Sequence, residues 1–375
     1  MNVLFVASTG LQLINAMTII RDHSSFDHCD LLYGERLEAM TKSIGLKKYF
    51  HDSFVIPSIQ DCTFPYLSKV LSGIRKGLAY KGLLDKIPTN VKKYDRIFVP
   101  GLALYYYLVY YAVHACSSKV QLSIYEEGIC EYYTLAKVNR IRMFYSKLFF
   151  GCYHYEECDS LYVHRPEYVS CCWRNMELKK ISSPLAYPDL VRDLKNTFGY
   201  DEKAILLDGI RFIFVDQCYD GFDRQEEREE QQKAALSILV QEMKKNQLNE
   251  KTIAVKLHPK SKPDKYGGGF RYIQSGMPFE LIAINMNLEK AIFISVFSSV
   301  LINFKLILNQ EPPVLVLQNI YADFTNDVDK NIAALFEKVR RDYTNKKFYI
   351  PKSEEEYKNI LSQIVKQQES SDNFS

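Results

Sequence analysis

The sequence predicts an α/β fold made of two successive halves, each a parallel sheet with helices on its faces. Short apolar, β-rich runs alternate with segments of helical spacing along most of the chain, which is the pattern of parallel strands buried on both sides. Residues 2–8 form such a run, followed by Thr9-Gly10 and then Leu11, Ile14, Met17 and Thr18 on one helical face. A chain opening with strand, glycine turn and helix is the start of a Rossmann-like half. A length of 375 residues suits two domains of ordinary size. The stretch 181–189, with Pro184 and Pro188, reads as the crossing, giving halves of 1–185 and 186–375.

The first half continues with strands at 29–33, 54–56, 96–100 and 120–125 and helices at 11–21, 36–44, 67–86 and 102–115. The helix at 67–86 carries Lys69, Arg75, Lys76, Lys81 and Lys86 among apolar residues. Residues 140–155 mix Arg140, Arg142 and Lys147 with Phe144, Tyr145, Leu148, Phe149 and Phe150. That mixture serves either a surface helix dipping into an anionic leaflet or an ordinary helix on the core. His154 and His164 show no partner pattern and are read as structural. In the second half, strands are expected at 211–216, 252–257, 291–296 and 313–317. Residues 220–233 read as a charged exposed loop leading into a helix at 232–245, and 261–269 as a polar, glycine-rich loop. A short segment at 279–283 and helices at 300–308, 326–342 and 354–366 follow, with 367–375 as a frayed tail. No internal repeat or low-complexity segment is evident.

Hydrophobic residues make up 47% of the chain and charged residues 25%, so a large core is expected and disorder is not. A net charge of +3 is too small to argue for nucleic acid. The 27 Tyr and 22 Phe are good strand and core residues, and aromatic faces also line sugar sites. Cys29, Cys62, Cys116, Cys130, Cys152, Cys158, Cys171, Cys172 and Cys218 fall in no CxxC pair and near no His at zinc spacing, so reduced thiols are expected. The first residues show no signal-peptide pattern and no run is long enough to span a bilayer. The expectation is a cytoplasmic protein, with room for a peripheral position on the inner face of the membrane.

Three strand ends carry chemistry. The run at 291–296 leads through Phe297-Ser298-Ser299 into a helix. Unpaired N–H groups and paired hydroxyls at such a turn suit an anion, and an N-cap role is the plainer alternative. Upstream, Lys256-Leu257-His258-Pro259-Lys260 sets a histidine at a strand exit. Proline restricts the residue before it, and imidazole titrates near neutrality, so His258 can give a proton to a leaving phosphate. In adjacent strands both ends would open on one crevice. Glu126-Glu127-Gly128 ends the strand at 120–125, where open α/β sheets bind ligands; as a motif by itself it equally suits a solvated loop.

Taken together, Glu126-Glu127-Gly128, Lys256-Leu257-His258-Pro259-Lys260 and Ser295-Val-Phe-Ser-Ser-Val-Leu301 resemble the three signatures of bacterial sialyltransferases. The opening Ser8-Thr-Gly-Leu-Gln-Leu-Ile-Asn-Ala16 is similar to the start of lipooligosaccharide sialyltransferases and capsule polysialyltransferases, glycosyltransferase families 52 and 38. Gly10 stands where many of those relatives carry a proline, which leaves the subfamily open. The resemblance implies a GT-B architecture, two Rossmann-like domains facing each other across a central cleft. It also implies inverting transfer of sialic acid from CMP-sialic acid, without a metal or other cofactor, to a hydroxyl of a cell-surface glycan of capsule or lipooligosaccharide type. Under it Glu127 is the base, with Glu126 as the alternative, and His258 neutralises the departing CMP. Ser298 and Ser299 hold the phosphate or the donor carboxylate, while Pro259 and Gly128 shape their turns. Thr9, Gly10 and Gln12 join the substrate site. Lys256 and Lys260 either add positive potential for the donor or are simply solvated. The acceptor glycan can be lipid-linked, nucleic acid is not a partner, and a homodimer is admissible.

The competing readings are a CDP-polyol phosphotransferase of teichoic-acid type, a GT-B hexosyltransferase using a UDP-sugar, and a non-catalytic glycan-binding protein. The first shares a Lys-Leu-His-Pro strand end and a serine pair, but usually places Asp-Tyr where this chain has Val296-Phe297.

Overall fold

The computed structural model describes residues 1–56, 94–101, 104–133, 143–144, 147–148, 151–170, 176–202, 207–219, 224–273, 277–322 and 327–372. The helix expected at 67–86, the charges of Arg140 and Arg142, and Cys62, Cys171 and Cys172 lie outside them. The chain divides into two compact units, Met1–Tyr200 and Asp201–Ser375.

The first unit holds strands β1 (Asn2–Ala7), β2 (His28–Gly34), β3 (Ser53–Ile56), β4 (Arg96–Pro100), β5 (Gln121–Tyr125), β6 (Cys158–Val163) and β7 (Glu177–Lys180). They form one sheet in the order β3-β2-β1-β4-β5-β6-β7, with every pair parallel. Val3 to Ala7 are fully buried, because covered faces on both sides of a parallel strand leave no polar alternation. Strands β6 and β7 extend the sheet beyond the sequence expectation. Glu177–Lys180 is a polar edge strand, mostly exposed, so no apolar pattern betrays it.

The unit break falls later than the crossing expected at 185. Helix Pro188–Phe198, not expected from sequence, is tied into the first unit. Asp22 accepts from Ser182 N–H (2.9 Å) and Tyr187 O–H (2.7 Å), Arg21 pairs with Asp189 (2.7 Å), and Tyr49 donates to Asp193 (2.8 Å). Gly199, at φ +61, ends the helix in the left-handed conformation that glycine adopts cheaply.

The second unit holds β8 (Phe212–Val215), β9 (Ile253–Lys256), β10 (Arg271–Ile273), β11 (Ile292–Ser295), β12 (Val314–Val316) and β13 (Phe348–Tyr349), all parallel, in the order β10-β9-β8-β11-β12-β13. Within the charged stretch expected to be a loop, the residues from Gln225 onward are helical: the helix runs Gln225–Lys245. Its acidic first turn and its Lys233–Glu230 pair (2.7 Å) support it, and Glu226, Glu227, Glu230 and Lys233 face solvent, whereas Glu242 is buried. The last helix, Glu354–Asp372, likewise continues through most of the expected tail. The helix expected at 36–44 breaks at Thr41 into Glu35–Met40 and Ser43–Leu46.

Both sheets follow one winding rule. The chain lays three strands outward in one direction, then returns to place the fourth beside the first. The reversal lies between β1 and β4 in one unit and between β8 and β11 in the other. Ligands of open α/β sheets bind at the carboxyl ends of strands at such a reversal.

Candidate active site

At the carboxyl edge of the first sheet, Thr9 and Gln12 close a capping box at the start of helix Gly10–Asp22. Gln12 Oε1 accepts from the N–H of Ser8 (2.6 Å) and Thr9 (3.1 Å), and Gln12 Nε2 donates to Glu127 Oε2 at 3.0 Å. Gly10 is the first residue of that helix and is buried. Gln12 is therefore brought to Glu127, and Thr9 and Gln12 are tied to each other by the capping box.

The bond from Gln12, after β1, to Glu127, after β5, passes over the end of β4. There Gly101 sits at φ +57, and a Cβ on it would lie 2.3 Å from Glu127 Cδ and 2.5 Å from Oε1. Only a glycine meets both demands. Gly101 was not singled out in the sequence; the Pro100-Gly101 pair closing a strand is the signal that marks it. Gly128 has no need of this kind, since a Cβ there meets nothing within 4 Å and its φ is not positive.

Glu126 and Glu127 differ sharply. Glu126 is fully buried and accepts from Tyr132 O–H (2.7 Å) and His164 N–H (2.8 Å). His164 in turn contacts Asn15 at 3.0 Å, and Asn15 donates to Glu126 O at 2.8 Å, which locks the helix to this strand end. Burial pushes the Glu126 carboxyl up to about 7 and holds His164 down, at about 3, so that the ring is neutral. Glu127 is half-buried, and its carboxyl is also raised, to about 7, by burial against the opposing bond from Gln12. Glu131, fully buried, accepts from Glu127 N–H at 3.1 Å and is raised well above the ordinary range by burial and then by the charges of Glu127 and Glu126. Three carboxyls therefore crowd one strand end, and only Glu127 keeps an accessible face. Glu131 went unnoticed in the sequence because it stands outside the Glu-Glu-Gly triplet.

In the second unit His258 follows β9 and the serine pair follows β11, but the two strands are not adjacent. Strand β8 lies between them, so their axes are separated by two interstrand steps, about 10 Å. The end of β8 supplies Asp216, which is buried and organises the edge. Its carboxylate accepts from His258 N–H (3.0 Å), Lys265 Nζ (2.8 Å) and Tyr266 O–H (2.6 Å). Lys265 is thereby drawn out of the glycine-rich loop into a buried ion pair. Gln232 pins the next residue by a two-way pair with Gln217, at 2.8 Å in each direction.

Pro259 stands at the second position of a turn closed by Ser261 N–H to His258 O at 2.9 Å, where its fixed φ is favoured. His258 Nδ1 accepts from Lys260 N–H at 3.2 Å, so the neutral ring carries its proton on Nε2. Lys260 is exposed, whereas Lys256 is half-buried. Its Nζ lies 5.8 Å from the Phe279 ring, and burial lowers its pKa against the opposing charges of Glu280 and Asp216.

Ser295 Oγ donates to Val215 O at 2.7 Å and fastens β11 to β8. Beyond it, Ser299 occupies the cap position of helix Val300–Leu306, but its side chain makes no capping bond. Ser298 is buried and Ser299 half-buried. Neither hydroxyl bonds to a protein group among the described residues. The capping alternative is thus set aside. Among the described residues, the group with metal-ligand geometry is His28, Asp30 and Asp52, within 4.8 Å of one another. It sits by the amino ends of β2 and β3, away from the edge that carries Glu127.

The family model of the alpha-2,8-polysialyltransferases matches residues 78–317. The chain belongs to this family. It is a glycosyltransferase of the sialyltransferase kind, and the match takes in Gly101, Glu126–Gly128, Glu131, Asp216, His258 and the serine pair. The Thr9–Gln12 turn of this polysialyltransferase-family chain lies outside the match. No curated protein sequence matches it. Among solved structures, the MnaA–UDP co-structure from S. aureus is similar in fold, at 10% identity and a TM-score of 0.50, covering 93% of this chain and 91% of that one. A sialyltransferase from Photobacterium damsela gives 13% identity and a TM-score of 0.49, covering 93% and 81% respectively. The two Rossmann-like units are the components that the GT-B expectation requires.

Proposed function

We propose that this member of the polysialyltransferase family moves sialic acid from CMP-sialic acid, with inversion, to a hydroxyl of a growing cell-surface sialic acid chain. The observation that carries the chemistry is the sorting of the acidic cluster. Of its three carboxyls, Glu127 alone keeps an accessible face; it is oriented by Gln12 and raised to about 7, as a general base requires. Glu127 takes the proton of the acceptor hydroxyl as that oxygen bonds to the anomeric carbon. The bond from that carbon to the phosphate oxygen breaks, its electron pair leaves with CMP, and one displacement inverts the centre.

CMP departs as a phosphate monoester and gains charge as it goes. The Nε2 proton of His258 and the hydroxyls of Ser298 and Ser299 are suited to that charge, with Lys256 adding positive potential. This division of labour uses protein donors throughout and needs no metal step. The family match supports an alpha-2,8 linkage and a sialic acid acceptor.

Purified protein given CMP-sialic acid or CDP-glycerol, each with a matching acceptor, is assayed for CMP release. CMP from the sialic acid donor, lost in Glu127→Gln and His258→Ala, is expected. CMP from CDP-glycerol alone would refute the proposal in favour of a polyol phosphotransferase.

A lipid-linked acceptor at the inner membrane face is part of the proposal. No helix among the described residues is long and apolar enough to cross a membrane. Phe144 and Leu148, four positions apart in sequence, are 64% and 63% exposed, which supports a peripheral contact. Lys147 beside them is paired with Glu156 at 2.6 Å. The double variant Phe144→Ser, Leu148→Ser is expected to bind anionic liposomes more weakly; undiminished binding counts against this contact.

A further inference from the structure

Glu127 receives its one side-chain hydrogen bond among the described residues from Gln12, and the geometry leaves Gln12 no other way to face. Its carboxamide oxygen is taken by two backbone donors, the N–H groups of Ser8 and Thr9. An amide nitrogen there would meet two donors head-on, so the NH₂ group must point the opposite way, at Glu127 Oε2. Gln12 is 2% exposed, which denies it water as a substitute partner. The missing Cβ of Gly101 leaves room for the contact.

A capping box is closed as well by Glu as by Gln. Capping therefore does not explain why the amide stands here. A carboxylate at this position would turn its second oxygen on Glu127, adding a fourth acid to Glu126, Glu127 and Glu131. The other groups around Glu127 give no positive charge: Cys130 is a thiol raised to about 11, and His164 is neutral. No Lys or Arg pairs with Glu127 among the described residues.

We infer that Gln12 is a positioning residue for the catalytic base: it fixes the Glu127 carboxylate over Gly101 and favours its ionised form. The inference rests on the reading of Glu127 as base. The bond from Gln12 lowers the Glu127 pKa against the rise from burial, so losing it moves the acid limb of the pH profile upward.

The test is Gln12→Glu, which keeps the cap and removes the donor. The melting temperature is expected to fall, because the variant buries a fourth carboxyl beside Glu126, Glu127 and Glu131. The acid limb of kcat/KM is expected to move up by at least about one pH unit, a tenfold loss of rate on that limb. A parental limb in Gln12→Glu would overturn the inference and leave Gln12 a cap only. Gln12→Met supplies the second arm should the first fail to fold. It loses donor and cap together, and must show the raised limb beside a lowered melting temperature, or the inference fails. Glu127→Gln separates the two levels: if it stays active the base reading itself falls, whereas an inactive Glu127→Gln with a parental Gln12→Glu profile removes only the role of Gln12.

Discussion

The Gly101→Ala variant forces a collision inside the acidic cluster. The added Cβ would lie 2.3, 2.5 and 2.6 Å from Glu127 Cδ, Oε1 and Cγ. Ordinary carbon contacts are about 3.5–4 Å, so the Glu127 side chain must retreat by about 1 Å or more. That retreat breaks the 3.0 Å bond to Gln12. Alanine also accepts the left-handed φ of +57 at a cost of about 1–2 kcal/mol. At about 2–4 °C per kcal/mol for a unit of this size, the melting temperature is expected to fall by about 2–8 °C. The rate is expected to fall further: displacing a reacting group by about 1 Å costs on the order of 100-fold. Melting is followed by fluorescence, and turnover by CMP release from CMP-sialic acid. A folded Gly101→Ala enzyme with parental kcat would refute the argument, because Glu127 would then have moved without consequence.

Asp216→Asn is expected to destabilise the second unit by about 3–5 kcal/mol in denaturant unfolding, since Lys265 is left buried without its counter-charge. Ser298→Ala with Ser299→Ala is expected to raise KM for the donor and leave melting unchanged, because neither hydroxyl bonds to the described protein. A lowered melting temperature would show a structural role. Glu126 is the pH probe. Its folded pKa of about 7 lies above the ordinary 4.5, so the stability tied to its proton is fully present below 4.5 and lost as pH rises toward 7. The stability of Glu126→Gln relative to the parent should therefore improve between those values and then level off; a flat difference would count against a raised Glu126.

Local sequence marked most strands and helices, because a parallel strand covered on both faces must be an unbroken apolar run; Cys158–Val163, Glu177–Lys180, Arg271–Ile273 and Phe348–Tyr349 were the strands it did not mark. The three strand-end motifs were also legible there, as short runs of chemistry-bearing residues directly after apolar strands. What it hid were elements stabilised from elsewhere. The polar edge strand Glu177–Lys180 takes its bonds from β6, and the charged opening of helix Gln225–Lys245 has too few apolar residues to show a period.

The site itself was decided by tertiary structure. Side by side, Glu126 and Glu127 are indistinguishable as letters, and burial makes one a structural acid and leaves the other accessible. Gly101, Glu131 and Asp216 acquire their meaning only when separate strand ends meet at one sheet edge. His258 and the serine pair were expected on neighbouring strands, yet β8 runs between them and contributes the carboxylate that orders the histidine turn. The physical reason is general to this architecture: side chains at a winding reversal come from segments far apart in sequence, so their contacts have no local period to be read.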